Sequence, residues 1–203
     1  MGDASGDREG ADTHKVKLVA VGLALGIAVG YLLGGRLSQL SDLKPRYAPL
    51  ALIGLLLQLV NPPGSWPLVM LLVSFVLLTV FTLVNIKIAG FAVILVGVAL
   101  NFAVIAVNGG MPVAREAIVA SGQEATLGPL IEHGGVKHHL AGPADRLVFL
   151  GDVIAIPAPV GQAISIGDIF TYGGMTIVIA ASMRRREHAP RLATLPEAPG
   201  VQV

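Results

Sequence analysis

At 203 residues, with 54% hydrophobic and 13% charged side chains and a mean hydropathy of +0.75, the chain is too apolar for an ordinary soluble domain, where about a quarter of residues are charged. A formal charge of +1 without a clustered basic footprint gives no reason to expect nucleic acid as a partner. The lack of cysteine excludes disulfides, thiolate metal sites and cysteine nucleophiles. Composition therefore predicts an all-α integral membrane helical bundle, with the lipid bilayer as its first partner.

Residues 1–17 mix Gly, Asp, Ala and scattered charges of both signs, and are expected to form a disordered N-terminal tail. The apolar run that follows is too long for a cleaved signal peptide and lacks a small-x-small site. A transmembrane domain is expected over 18–183, with five spans at about 18–34, 47–60, 68–84, 91–107 and 164–183. In the first span Gly22, Gly26, Gly30 and Gly34 recur every fourth residue, making a smooth stripe against which another backbone can pack. That stripe serves either another span of the same chain or, as an expected partner surface, a second protein or a second copy of this one.

Asn61-Pro-Pro-Gly-Ser-Trp-Pro67 reads as a tight turn between antiparallel spans. Trp66, Tyr31, Tyr47 and Tyr172 are the aromatic residues suited to an interface. No Asp, Glu, Lys, Arg or His falls in the middle of a span, which argues against a pump or ion-coupled carrier. Among the polar residues inside the spans, Asn101 is the one expected to hydrogen-bond across helices.

The long loop 108–161 holds most of the polar and ionisable side chains outside the tails. Asn108-Gly-Gly-Met-Pro112 looks like a helix end: two glycines for a left-handed cap, then a proline that stops the helix resuming. A functional reading of the same residues has the Gly109 and Gly110 amides binding an anion or headgroup. The return, 147–159, is apolar but too short to cross, so it is expected to be re-entrant or interfacial. Gly-Asp occurs twice, at Gly151-Asp152 and Gly167-Asp168. Asp168 suits the N-cap of the last span, whereas Asp152 has no ready folding role.

His133, His138 and His139 lie near Glu132, Asp145 and Lys137, but the adjacent pair points apart and no metal-site spacing is present, so no metal site is expected. No catalytic residue stands out and no cofactor is implied, so the balance leans away from an enzyme. The residues expected to meet a ligand are Asp152, Asp168, His138, Arg146 and Asn108.

Lys and Arg in short connectors set orientation. Arg36, Lys44, Arg46, Lys87 and Arg184–Arg186 fall on one side of a five-span chain, which is expected to be cytoplasmic. The N-terminus is then outside, and the basic, then Pro-rich tail 184–203 is inside.

The order of motifs resembles a bacterial family of small multi-spanning inner-membrane proteins catalogued only as a domain of unknown function. The resemblance rests on Gly34-Gly-Arg36 after the first span, Asn108-Gly-Gly with Met111-Pro-Val113, and Lys137-His138 upstream of Arg146-Leu147. Phe149-Leu-Gly-Asp-Val-Ile154 and Ser165-Ile-Gly-Asp168 complete it. It covers about 18–183 and implies the bacterial cytoplasmic membrane, but no activity. From the residues, the expected role is that of an accessory or interaction subunit of a membrane assembly. The alternative is a pocket for a lipid, quinone or small solute between the outer loop and the bundle.

Overall fold

The structure, a computed structural model, describes residues 6–133 and 137–184, with the side chains of 6–17, Pro129, Glu132 and His133 outside that description. Five apolar helices form the body: α1 Gly6–Leu32, α2 Ala48–Leu59, α3 Trp66–Val84, α4 Phe91–Asn108 and, after the long loop, α7 Ile166–Met183. The two intervening helices, α5 Arg115–Ala120 and α6 Leu127–His133, are short. Of the described helices, α3, α4 and α7 are long and apolar enough to cross a membrane. Leu18–Leu32 of α1 and the 12 residues of α2 are shorter apolar helices. At 1.5 Å per residue, α2 extends only about 18 Å against a hydrocarbon core of about 30 Å. α1 also begins inside the stretch 1–17 whose composition reads as a tail, and everything beyond Arg184 lies outside the described residues.

Glycine decides the packing. A side chain on Gly90 would strike the backbone oxygen of Gly174, one on Gly97 the oxygen of Gly167, and one on Gly167 the Asn101 amide. These pairs run in opposite directions along the two helices, so α4 and α7 are antiparallel in backbone contact. On the other flank of α7, Gly22 meets Tyr172 and Met175, Gly26 meets Ile179 and Gly30 meets Met183, so α1 lies parallel to α7. The chain's own last helix therefore takes up that stripe. Gly34 is not part of it: α1 has ended at Leu32, and Gly34 turns the chain at φ +79° with open space around it. α3 packs on α4, and α2 on α3, the last joint including a hydrogen bond from Gln58 Nε2 to the buried Ser74 hydroxyl at 3.0 Å.

The same joint closes both ends of the bundle. At the end of α3, the Asn85 amide donates to the carbonyls of Phe81, four residues back, and of Arg46, while its oxygen accepts from the Arg46 N–H. At the end of α4, the Asn108 amide donates to Val104, four residues back, and to the Arg146 carbonyl, and accepts from the Arg146 N–H. Each gripped arginine is followed by a residue in the left-handed region, Tyr47 at φ 54° and Leu147 at φ 53°. The Asn85 end carries Arg36, Lys44, Arg46, Lys87 and Arg184; the Asn108 end carries the long loop.

That loop is not purely helical, as an all-α reading would have it. Among the described residues it contains four short strands: β1 Met111–Val113, β2 His138–Leu140, β3 Ile154–Ile156 and β4 Gln162–Ile164. β1 pairs in parallel with β2, and Val113 bridges to Asp152 on its other edge. β3 and β4 form an antiparallel pair. Val113, Ala117, Ile118 and Ala163 give the loop a small core of its own, packed by Leu127, Leu130, Leu140 and Ala155. Met111 and Leu150 instead join the main core of Leu71, Phe75, Val98, Val104 and Ile105, so the loop is seated on the bundle. The expected re-entrant stretch 147–159 is a 3₁₀ turn, Val148–Leu150, followed by the Asp152 bridge and β3.

Gly97→Ala is expected to lower stability by about 1–3 kcal/mol, because a methyl there is forced against backbone that has no freedom to retreat. Gly173→Ala on the same helix pair meets no atom within 4 Å, and is expected to be neutral or stabilising by up to about 1 kcal/mol from helix propensity. Thermal melting of both variants in detergent checks the contrast; equal losses would refute the close contact.

Candidate functional site

The residues expected to meet a ligand fall into three groups around the long loop. Asn108 and Arg146 form the first. All three Asn108 bonds, 2.8–2.9 Å long, go to backbone, so Asn108 acts as a clasp that fixes the start of the loop's return. Gly109, at φ 68°, caps α4 by donating to Ile105, and Gly110 donates to the same carbonyl at 3.1 Å. The sequence Asn108-Gly-Gly is thus a helix end with an added side-chain clasp.

The second group is Asp152 and His138. Asp152 lies on the free edge of β1, its N–H donating to Pro112 at 3.0 Å and its carbonyl accepting from Ala114 at 3.1 Å. The residue is only 8% exposed, and its carboxylate stands 4.0 Å from Nε2 of the partly exposed His138, which β2 brings in from β1's other edge. Gly151 before it is required by the close approach of the Pro112 carbonyl, with which any β-carbon would collide.

Asp168 belongs to a third group. It is not the N-cap of α7: Ser165 is, its hydroxyl accepting from the Asp168 N–H at 3.0 Å while Asp168 Oδ2 accepts from the Ser165 N–H at 3.0 Å. This reciprocal box places the acid three residues into the helix, where its second oxygen is free to accept from Asn101 Nδ2 at 2.9 Å. Ser165 Oγ then donates to Asn101 Oδ1 at 2.8 Å, closing a ring of three side chains between α4 and α7. Both Gly-Asp pairs therefore follow one logic: the glycine admits a neighbour's atoms and the aspartate fixes the junction.

Two further participants, Lys137 and Asp145, stand outside the residues expected to meet a ligand. Lys137 reaches back to α2, donating to the Gln58 carbonyl at 2.6 Å and the Val60 carbonyl at 2.9 Å; it neutralises the negative end of that short helix and ties the loop to it. Asp145 accepts from His139 Nε2 at 2.9 Å and from the Gly142 N–H at 2.8 Å. Burial acts to raise the Asp145 carboxyl, but the Gly142 N–H and the hydrogen bond and charge of His139 outweigh it, holding it below its ordinary value of 3.8. His138 and His139 do point to different carboxylates, as their adjacency in a strand requires. The His133 side chain lies outside the described residues, among which no three His, Asp or Glu side chains converge as metal ligands.

Compared with known proteins, residues 46–180 match the model of a family of unknown function, DUF5317. No curated protein and no solved structure matches the chain.

Asn108→Ala removes three hydrogen bonds, two of them exposed so that water can replace them, an expected cost of about 0.5–1.5 kcal/mol. Hydrogen exchange should speed up locally over the return past Arg146 and leave α3 unchanged; unaltered exchange there would show that the clasp is idle. For Asp145 the folded value lies below the unfolded one, so its contact stabilises above the unfolded value and the benefit disappears as pH falls through the folded one. Asp145→Asn should therefore lower the melting temperature at neutral pH, and the gap should close only below the ordinary 3.8. A carboxyl NMR titration of Asp145 with a midpoint at or above that value contradicts the assignment.

Proposed function

Since this chain belongs to DUF5317, a family of unknown function covering 46–180, no activity carries over, and we propose from its geometry that it is an accessory subunit of a membrane assembly. In this reading the five apolar helices sit in the bacterial cytoplasmic membrane, with the N-terminus and the loop outside and the C-terminus in the cytoplasm. The gathering of Arg36, Lys44, Arg46, Lys87 and Arg184 at one end of the bundle supports that orientation. The exposed aromatics at both ends, Trp66 at one and Tyr31 and Tyr47 at the other, support the embedding itself.

One observation carries the role: the outer loop is a seated module whose polar side chains hold backbone and one another, while apolar side chains face outward. Asn108, Lys137, Asp145 and Asp168 all work within the fold. Val119, Ile131 and Phe149 remain 45%, 56% and 63% exposed. A rigid platform with outward apolar side chains suits a protein partner.

A second reading rests on Asp152, the carboxylate buried at 4.0 Å from His138. In it, the pair contacts a small ligand held between loop and bundle, and Asp152→Ala abolishes ligand binding without unfolding the protein.

A photo-reactive residue in place of Ile131 or Val119 is expected to give a discrete adduct with another protein in native membranes, while one at the lipid-facing Leu55 of α2 gives none. Native purification that yields only bare monomer, together with no adduct from either loop position, would overturn the accessory role.

A further inference from the structure

The joints made by Asn85, Ser74 and Lys137 set the height of α2 against α3. Asn85, just past α3, grips Arg46, just before α2, so the two antiparallel helices are flush at that end. A β-carbon on Gly54 would lie 3.2 Å from the Leu78 side chain, and Gln58 bonds Ser74, which continues the same register. α2 then stops at Leu59, while residues 66–73 of α3 run on for about 12 Å at 1.5 Å per residue. Those residues, Trp-Pro-Leu-Val-Met-Leu-Leu-Val, are all apolar. What stands level with them on the α2 side is polar. The Gln58 and Val60 carbonyls accept from the Lys137 ammonium, and the Leu59 carbonyl accepts from the Asn61 amide at 3.4 Å. Asn61, Pro63, Gly64 and Ser65 are exposed.

We propose that the bilayer leaflet on the loop side is thinned beside α2, so that phospholipid headgroups rather than acyl chains meet the end of this helix. Hydrocarbon offers no partner to an ammonium, an exposed amide or the backbone of a turn. A lysine near a membrane surface ordinarily extends outward to reach the headgroups. Here the ammonium is held inward on two helix carbonyls, so the headgroup layer must come to it. Thinning is a known and modestly costly response of a bilayer to a helix shorter than its hydrocarbon core. It is confined to one flank, because α3, α4 and α7 are each long enough to cross. The proposal rests on the reading that the helices are embedded in lipid.

The chain has no cysteine, so a single introduced cysteine in the full-length protein can carry one nitroxide. In vesicles of phosphatidylethanolamine and phosphatidylglycerol, the nitroxide's collisions with a water-soluble nickel complex, relative to those with oxygen, report its depth. Val60→Cys marks the end of α2, and Ser65→Cys the turn before α3. Ala103→Cys is the reference, on the outward stripe of α4 with Val96 and Val107. Phe102 beside it stacks on Phe75 with ring centres 6.2 Å apart, which puts Ala103 at about the height of Ser74 and Gln58. The Val60 label is expected to meet nickel nearly as often as the Ser65 label and severalfold more often than the Ala103 label. Leu59→Cys, at a position 64% exposed, should give the same result and replaces Val60→Cys if that variant does not fold. A label at either position as shielded as the one at Ala103 overturns the proposal, since acyl chains or a partner's helix then cover the end of α2. Nickel reaching Ala103 as freely as Ser65 overturns the embedded bundle and the thinning together.

Discussion

Everything else hangs on the backbone contact between α4 and α7. In lipid the hydrophobic effect does not drive apolar helices together, so close van der Waals approach and interhelical hydrogen bonds must. Gly97, Gly167 and Gly174 permit that approach, and the ring of Asn101, Ser165 and Asp168 holds the register at its outer end. Because α7 also receives the glycine stripe of α1, the last of the described helices is the one that joins α1 to the rest. The small residues leave little room for an alternative alignment, since a shift of one residue puts a β-carbon where backbone now lies.

The two asparagine joints extend the same economy to the ends. A helix terminus leaves carbonyls without partners, and in each case one amide serves such a carbonyl while reading both backbone groups of an arginine far away in sequence. One joint fixes the connector before α2 and the other fixes the return of the outer loop. Each joint holds only the arginine's backbone and so makes no use of its charge. The long loop is thus a structured extension of α4, seated through Met111 and Leu150 and tied to α2 by Lys137.

This arrangement changes the meaning of the polar residues. A carboxylate between helices invites a chemical reading, yet the half-buried Asp168 is used in capping and cross-linking two helices. Asp152 is the exception that retains interest, since its backbone makes a single bridge to the edge of β1 while its carboxylate faces an imidazole. The large apolar side chains that the loop leaves exposed are Val119, Ile131, Leu147 and Phe149.

The sequence by itself determined the apolar helices, the breaks between them and the capped exit at Asn108-Gly-Gly, because each depends on local chemistry: runs of apolar residues, prolines, and glycines able to adopt positive φ. It also marked Asn101 as a cross-helix residue, since a lone amide in an apolar helix has few other uses. Ser165 is legible as the cap from the Ser-x-x-Asp spacing, whereas Asp168 taken alone suits the same position. What only the tertiary structure decided was which partner each group meets. The strand pairing of 111–113 with 138–140, the grip of Asn108 on Arg146 and that of Lys137 on α2 join residues far apart in the chain. Three-residue strands leave almost no periodicity to read, and a hydrogen bond across 38 or 79 positions leaves none. The same holds for the glycines: a spacing of four announces a smooth face, but only the packed helices show that α7 fills it.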